Sequence, residues 1–356
     1  MMNKRAARAD IFLLITAALW GFGFVAQSSG MDYVGPFTYN ALRFPLGSLS
    51  LLPLLFLFRR KAKNANIDVN MAASARPKKT AILRMTLLAG TVLFIAVVFQ
   101  QIGMIFTTVG NAGFITGFYV VLTPVFGIFI GKKTGIPTWV GMVFALTGLY
   151  FISAAGNFNS INPGDCIILA GAAFWAVHIL VIDHLVQKMD PLILSAGQFA
   201  WCGFFSIIAA FAVEPFVGSW AARIAPDYAL QQWVTLPDLL RLIGTSAAAV
   251  NGAIPDAAAH GAAITGTALL GAAVPILYGG LVSAGIAYTL QIVAQKDAPP
   301  AHATIILCLE GPFATLGGIL LRNEKPGPFT LLGFGFMLFA MFITQWDVIR
   351  GGLKNQ

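Results

Sequence analysis

The chain has 356 residues, of which 58% are hydrophobic and only 10% charged, with mean hydropathy +0.80 and net charge +8. A soluble domain carries about 25% charged residues, and one this apolar would expose greasy patches and aggregate. Composition therefore excludes a soluble enzyme or a soluble nucleic-acid-binding domain and leaves a polytopic membrane protein.

Apolar runs of about 20 residues are what a helix needs to cross a bilayer core. Ten occur, at about 11–29, 36–58, 82–106, 110–131, 136–154, 165–186, 191–213, 271–294, 300–321 and 328–346. None alternates apolar with polar residues as barrel strands do. The expected fold is an all-α membrane protein of ten transmembrane helices. The first run follows Lys4, Arg5 and Arg8 and has the outline of a signal peptide, but its Trp20 recurs as Trp175 in the sixth run, which marks it as a retained helix.

The basic residues sort by loop. With the N-terminus inside, the inner segments hold 17 of the 22 Lys and Arg residues. The outer segments hold Arg223, Arg241, Arg322 and Lys325, and Arg43 lies within the second span. By the positive-inside rule both termini are cytoplasmic, and the charge needs no nucleic-acid partner. The basic segment 59–81 reads as a cytoplasmic tether near anionic lipid headgroups.

The two halves repeat. Trp20 and Trp175 are 155 apart, as are Pro36 and Pro191, and Phe44 and Phe199. Each unit then has five helices, and a second copy of an odd-numbered unit enters the membrane from the opposite side, giving two inverted five-helix repeats. The first covers residues 1–155 and the second 163–346. Later pairs show a larger offset: Gln101 and Gln291 differ by 190, Pro124 and Pro312 by 188. About 35 extra residues therefore fall in an external insert at 219–270, where Leu236 to Ile243 reads as a short amphipathic surface helix.

Polar residues at membrane depth are costly and pair with one another or line a water-filled path. Taken along the chain, the aromatic pair Trp20 and Phe24 comes first. Arg43 lies about two turns into the second span, with Gln198 at the equivalent place in the seventh. It binds an anionic substrate group or locks a gate; alternatively it snorkels to the headgroups. Gln100 and Gln101 follow on the third span. On the fourth, Thr116, Tyr119 and Thr123 share a face, with Asn111 near the outer end and a Gly113-x-x-x-Gly117 motif for close packing. In the sixth, His178 lies one turn past Trp175, where a hydrogen-bonded packing role is the simpler reading. Tyr288, Gln291 and Gln295 share one face of the eighth. Glu310, just before Gly311-Pro312, is the carboxylate deepest in a span. It either carries a proton or receives an amine, or it accepts a structural bond from a neighbour. Each polar face taken alone fits interhelical glue; four faces in two symmetric sets favour a cavity.

Cys166, Cys202 and Cys308 lie on three different spans without ligand spacing and read as packing residues. There is no HExxH, no metal spacing, no credible Ser-His-Asp set and no G-x-x-x-x-G-K-[ST]. No catalytic residue, metal ligand, cofactor or direct use of ATP is expected.

Leu19-Trp20-Gly21 with Phe24-Val25 in the first span, Gly110-Asn111-Ala112-Gly113-Phe114-Ile115-Thr116-Gly117 running to Thr123-Pro124 in the fourth, and Leu309-Glu310-Gly311-Pro312 with Gly317 to Glu324 in the ninth together resemble the ten-helix EamA-type exporters of the drug/metabolite transporter superfamily. The resemblance covers the chain except residues 219–270. It implies paired repeats around a central cavity, alternating access, and export or exchange of amino acids, related metabolites or drugs. The Gly-Glu that such proteins often carry after helices 4 and 9 is Lys132-Lys133 in the first place and Asn323-Glu324 in the second. The helix 1 glutamate of the four-helix multidrug relatives has no counterpart between Ile11 and Ser29.

The expected function is secondary transport of small polar metabolites, amino acids foremost, outward across the bacterial cytoplasmic membrane, driven by proton coupling or by exchange. The partners are that substrate and the lipid bilayer. Trp20, Phe24, Tyr119, Trp175, Tyr288 and Gln291 are the expected cavity wall, with Gln101, Asn111, Thr116, His178 and Gln198 as further polar candidates and Arg43 and Glu310 as its charges. A phosphorylated-sugar or nucleotide-sugar exchanger is the alternative, though it calls for several basic cavity residues. A membrane-embedded sensor or enzyme calls for a catalytic set or signalling domain that the sequence lacks.

Overall fold

The computed structural model describes residues 4–64, 78–129, 131, 135–154, 162–224, 233–241, 256–298 and 300–344. The first half holds α1 (Lys4–Met31), α2 (Pro36–Asn64), α3 (Lys79–Gly103), α4 (Val109–Thr116), α5 (Tyr119–Phe129) and α6 (Ile136–Ala154). The second holds α7 (Pro163–Val186), α8 (Pro191–Ala212), α9 (Glu214–Ile224) and α10 (Asp256–Leu277), which runs into a π-helical segment (Tyr278–Tyr288) and then α11 (Thr289–Gln295). It closes with α12 (Pro300–Leu307), α13 (Glu310–Arg322) and α14 (Pro328–Thr344). Among the described residues, eight helical stretches are long and apolar enough to cross a membrane, and two shorter apolar ones, Trp139–Ile152 and Pro328–Ile343, bring the number to ten. Among the described residues the one β feature is an isolated bridge between Val34 and Val234.

Several helices begin at a proline, which loses nothing there because the first amides of a helix lack intrahelical partners. Pro36, Pro163, Pro191, Pro300 and Pro328 stand at such starts. Asn162 caps α7 by accepting from Gly164 N, and Asp190 caps α8 by accepting from Leu192 N and Ile193 N.

Some boundaries differ from the sequence expectation. α2 runs to Asn64, past the expected start of the loop at 59. Residues 256–270, assigned to the external insert, are the first turns of α10, which reaches the eighth span as one continuous helix. Helical geometry covers 236–241 of the expected surface helix; 242 and 243 lie outside the described residues. Its Leu239 is buried with Val34, Tyr39, Val234, Ala272 and Ile276, so this piece of the insert seats on the bundle.

Helix packing is paired. α2 packs along α8, α6 along α14 and α4 along α13. α1 packs on α13 and on the π segment, while α7 packs on α4, α5 and α3. The bundle has two ends, named here by a carboxylate at each. Asp32, Val109, Asn162, Glu214 and Arg322 lie at one end, and Asp10, Lys188, Asp297 and His302 at the other.

The α6–α14 contact depends on two glycines. A Cβ on Gly148 would lie 2.8 Å from Gly333 O and 2.9 Å from Met337 Cγ, and one on Gly333 would lie 2.7 Å from Gly148 O. Around them Phe144 meets Phe336 and Phe339, and Phe151 meets Phe329 and Phe336. Gly148→Leu is expected to destabilise the protein by about 2 kcal/mol through overpacking, read as a lower melting temperature in detergent with Gly218→Leu, which has open space, as the control.

Candidate functional site

Two spans are broken at mid-depth, and the site lies at the breaks. The fourth span turns between α4 and α5, where Phe118 N donates to Ile115 O and Val120 N to Gly117 O. The ninth turns between α12 and α13, where Leu309 N donates to Ile306 O and Gly311 N to Cys308 O. These tight i to i+3 turns replace the α-helical ladder. Pro312 accounts for the second break, because a helical proline clashes with the carbonyl four residues back, that of Cys308. The broken helices touch: a Cβ on Gly113 would lie 3.2 Å from Gly311 Cα.

Thr116 and Tyr119 flank the first break and Glu310 follows the second. They share one cavity with Trp20, Phe24 and Gln27 of α1, Arg43 of α2, Gln100 of α3, Trp175 and Ile179 of α7, and Ser283, Tyr288 and Gln291 of the eighth span. About 440 Å³ of space not filled by protein atoms lies among these side chains, a figure that includes space open to solvent. α6, α8 and α14 contribute nothing to its lining.

One wall is aromatic. Trp20 and Tyr288 lie 4.5 Å apart edge to face, with Trp175 6.5 Å from the first and 6.1 Å from the second. Trp20 and Trp175, 155 residues apart in sequence, thus meet each other, as do Phe44 and Phe199, also 155 apart, at 6.2 Å.

The charges stand alone. Arg43 is 3% exposed, and its guanidinium lies 4.6 Å from the Phe44 ring centroid and 5.2 Å from that of Tyr39. Tyr39 is itself fixed by donating its hydroxyl to Pro275 O at 3.0 Å. Glu310, also 3% exposed, faces the Tyr119 hydroxyl, although neither Tyr119 Oη nor Glu310 Oε1 completes a hydrogen bond of normal geometry. Neither charge forms an ion pair among the described residues. Trp20 Nε1, Arg43 Nε, Thr116 Oγ1, Trp175 Nε1 and Gln291 Oε1 are likewise buried without a hydrogen-bond partner there. Buried polar groups are normally satisfied, and seven of the sixteen such atoms left open among the described residues line this one cavity, which suits a polar ligand.

The other sequence candidates lie off the lining. His178 and Gln198, both fully buried, sit one layer behind it and bond each other, Nε2 to Oε1, at 3.0 Å. Gln101 is buried on another face of α3, and its neighbour Gln100 takes the cavity position instead, 3.4 Å from Gln27 Oε1. Asn111 lies in the first turn of α4, where its amide N–H donates to Thr108 Oγ1.

Gln27 and Ser283 line the cavity but were not singled out by the sequence reading. Gln27 could have been found, since Trp20, Phe24 and Gln27 share an α-helical face. Ser283 could not: five residues from Tyr288, it would point about 140° away in an α-helix. In the π segment the hydrogen-bonded repeat is five residues, which brings the two together.

At the Asp32 end, Glu214 serves as a cap supplied by another helix. α2 begins after Gly35, which has no side chain to cap it, and Glu214 accepts from Phe37 N at 2.7 Å, Thr38 N at 2.9 Å and the Thr38 hydroxyl. Its burial pushes the carboxyl up to about 7, against the pull of the Thr38 and Phe37 bonds, and Asp238 nearby adds to the rise. Trp233 Nε1 donates to Met31 O at 2.8 Å, and Leu236 N to Thr38 Oγ1 at 2.8 Å.

A model of the EamA-like transporter family matches residues 7–154 and 246–346. An uncharacterized transporter of Archaeoglobus fulgidus is 31% identical over 191 residues, 53% of this chain and 54% of that protein. A second from the same organism is 20% identical over 95% of this chain and 97% of its own length. One from Methanothermobacter thermautotrophicus is 27% identical over 49% of this chain and 51% of that protein. The chain thus spans about half the length of the first and third of these relatives. A crystal structure with 16% identity superposes at TM-score 0.58 over 97% of this chain and 98% of that one, a likeness of fold alone.

Proposed function

Because the chain belongs to the EamA-like transporter family and is a multi-pass membrane protein of that fold, we propose that it moves small zwitterionic metabolites, amino acids foremost, by alternating access. The observation that carries this is one basic and one acidic side chain in the same cavity, neither ion-paired among the described residues. Arg43 offers a guanidinium suited to a carboxylate, Glu310 offers an acceptor for an ammonium group, and Trp20, Trp175 and Tyr288 stand by for the ligand's body. A phosphorylated sugar carries two or more negative charges, and the lining holds a single basic residue beside one acidic residue, which disfavours it.

The two halves act in this reading as inverted repeats rocking about the cavity. Support comes from the pairing of α2 with α8, α4 with α13 and α6 with α14, from the two breaks 191 residues apart at Gly117 and Cys308, and from the mutual contact of equivalent aromatic residues. The Asp32 end faces outside and both termini face the cytoplasm, as the basic loops favour. Transport then runs outward across the cytoplasmic membrane by exchange or with a coupled proton.

Counterflow into proteoliposomes loaded with an amino-acid panel tests this. The expected outcome is stimulated uptake of amino acids, with none for sugar phosphates at equal concentration. Uptake of sugar phosphates alone would replace this reading with the exchanger.

A further inference from the structure

The described residues with positive φ are Gly131 (81°) and Asn323 (55°), the glycine just after α5 and the asparagine just after α13. They are 192 residues apart and so hold equivalent places at opposite ends of the bundle. Their flanking residues differ in kind: Arg322 and Glu324 bracket Asn323, whereas Ile130 and Lys132 bracket Gly131.

Around Asn323 those neighbours bind other helices. Glu324 accepts from Val109 N at 2.6 Å and Gly110 N at 3.1 Å, the first two amides of α4. A carboxylate on a helix N-terminus gains from both hydrogen bonding and the helix dipole. Arg322 forms a two-pronged pair with Asp32, just past the end of α1, with the Nη2–Oδ1 prong at 3.1 Å. The αL turn at Asn323 sends the two side chains to different partners, so three consecutive residues tie α13 to α4 and α1.

Among the described residues, the ion pairs found at the Asp10 end are single-pronged. Arg8 meets Asp297 at 3.4 Å with the arginine side chain 58% exposed, and His302 meets Asp10 at 2.7 Å with both partners over a third exposed. Arg322 and Asp32 are each 30% exposed, so what separates them from these pairs is the two-pronged geometry, which makes the stronger arginine–carboxylate contact. In sequence, Lys132 stands where Glu324 would be repeated, and a lysine has no acceptor for helix amides.

We propose that Arg322, Asn323 and Glu324 form a latch that holds the cavity shut toward the Asp32 end, and that this is the tighter of the two seals. The resting protein therefore opens first toward the Asp10 end. This rests on the alternating-access reading given above.

The test uses Ser283→Cys, in the cavity wall, with Cys166, Cys202 and Cys308 replaced by alanine. A membrane-impermeant methanethiosulfonate is added to right-side-out and inside-out vesicles, with sidedness fixed by a tag before α1. The parent should react faster from the Asp10 side. Glu324→Gln should speed reaction from the Asp32 side about tenfold, Arg322→Asp should do likewise, and adding Asp32→Arg to Arg322→Asp should restore the parent rate. If both single variants stay monodisperse and react from the Asp32 side no faster than the parent, the latch is refuted. Faster parental reaction from the Asp32 side would refute the unequal seals. The charge-swapped pair keeps the test decisive if a single variant misfolds. Labelling needs no substrate, so failure of the transport reading would appear separately, as absent counterflow.

Discussion

Arg43→Gln is expected to weaken binding of a zwitterionic amino acid at least about 30-fold, roughly 2 kcal/mol, the lower range for losing one partner of a buried charge pair. Glutamine keeps a donor but removes the charge that Tyr39 and Phe44 hold in place. The decarboxylated amine lacks the group that Arg43 is proposed to bind, so it should bind the variant and the parent alike. Glu310→Gln is the mirror case, with the deaminated acid as its insensitive ligand. Calorimetric titration of the four ligand–variant pairs gives the answer. If Arg43→Gln weakens the amino acid and the amine equally, Arg43 supports the fold and not the ligand. Proteoliposome flux with Glu310→Gln also decides coupling: a pH dependence identical to the parent's removes Glu310 as the proton carrier.

Glu214→Ala should lower stability by about 2 kcal/mol, since it strands the Phe37 and Thr38 amides at a buried helix start. Glu214→Gln keeps an acceptor and should lose much less, but it should change the pH profile. The native carboxyl is raised from the usual 4.5 to about 7, chiefly by burial. Between those values the folded chain holds more protons than the unfolded one, so stability falls as pH rises through that window. Asp238 is the other titratable group acting on this carboxyl. Melting temperatures of parent and Glu214→Gln, measured from pH 4.5 to 8, should converge at the acid end and part as pH rises. Parallel profiles would show that Glu214 does not titrate there.

The spans were legible because lipid imposes one requirement on every turn of each helix, and apolar length alone reports it. The wall residues on regular α-helices, Trp20, Phe24 and Trp175, were legible from spacing and repetition, and Tyr288, the last residue of the π segment, from its α-helical spacing to Gln291. Tyr119 and Glu310 owe their positions to the breaks, of which only the one upstream of Pro312 had a sequence signal. Ser283 depends on the π winding of the eighth span, while its counterpart, α3, is α-helical throughout. Glu214 was illegible for another reason: its partners are amides 176 and 177 residues away, and backbone amides leave no mark in a sequence. Gln100 and Gln101 stood side by side as candidates, and only the packing of α3 on two neighbours chose between them.

α6 and α14 stand clasped backbone to backbone outside the lining, with a ladder of phenylalanines on either side. They add to the packing of the bundle and supply none of the residues that line the cavity. Substitutions that reshape the pocket therefore leave this brace, and the stability it contributes, in place.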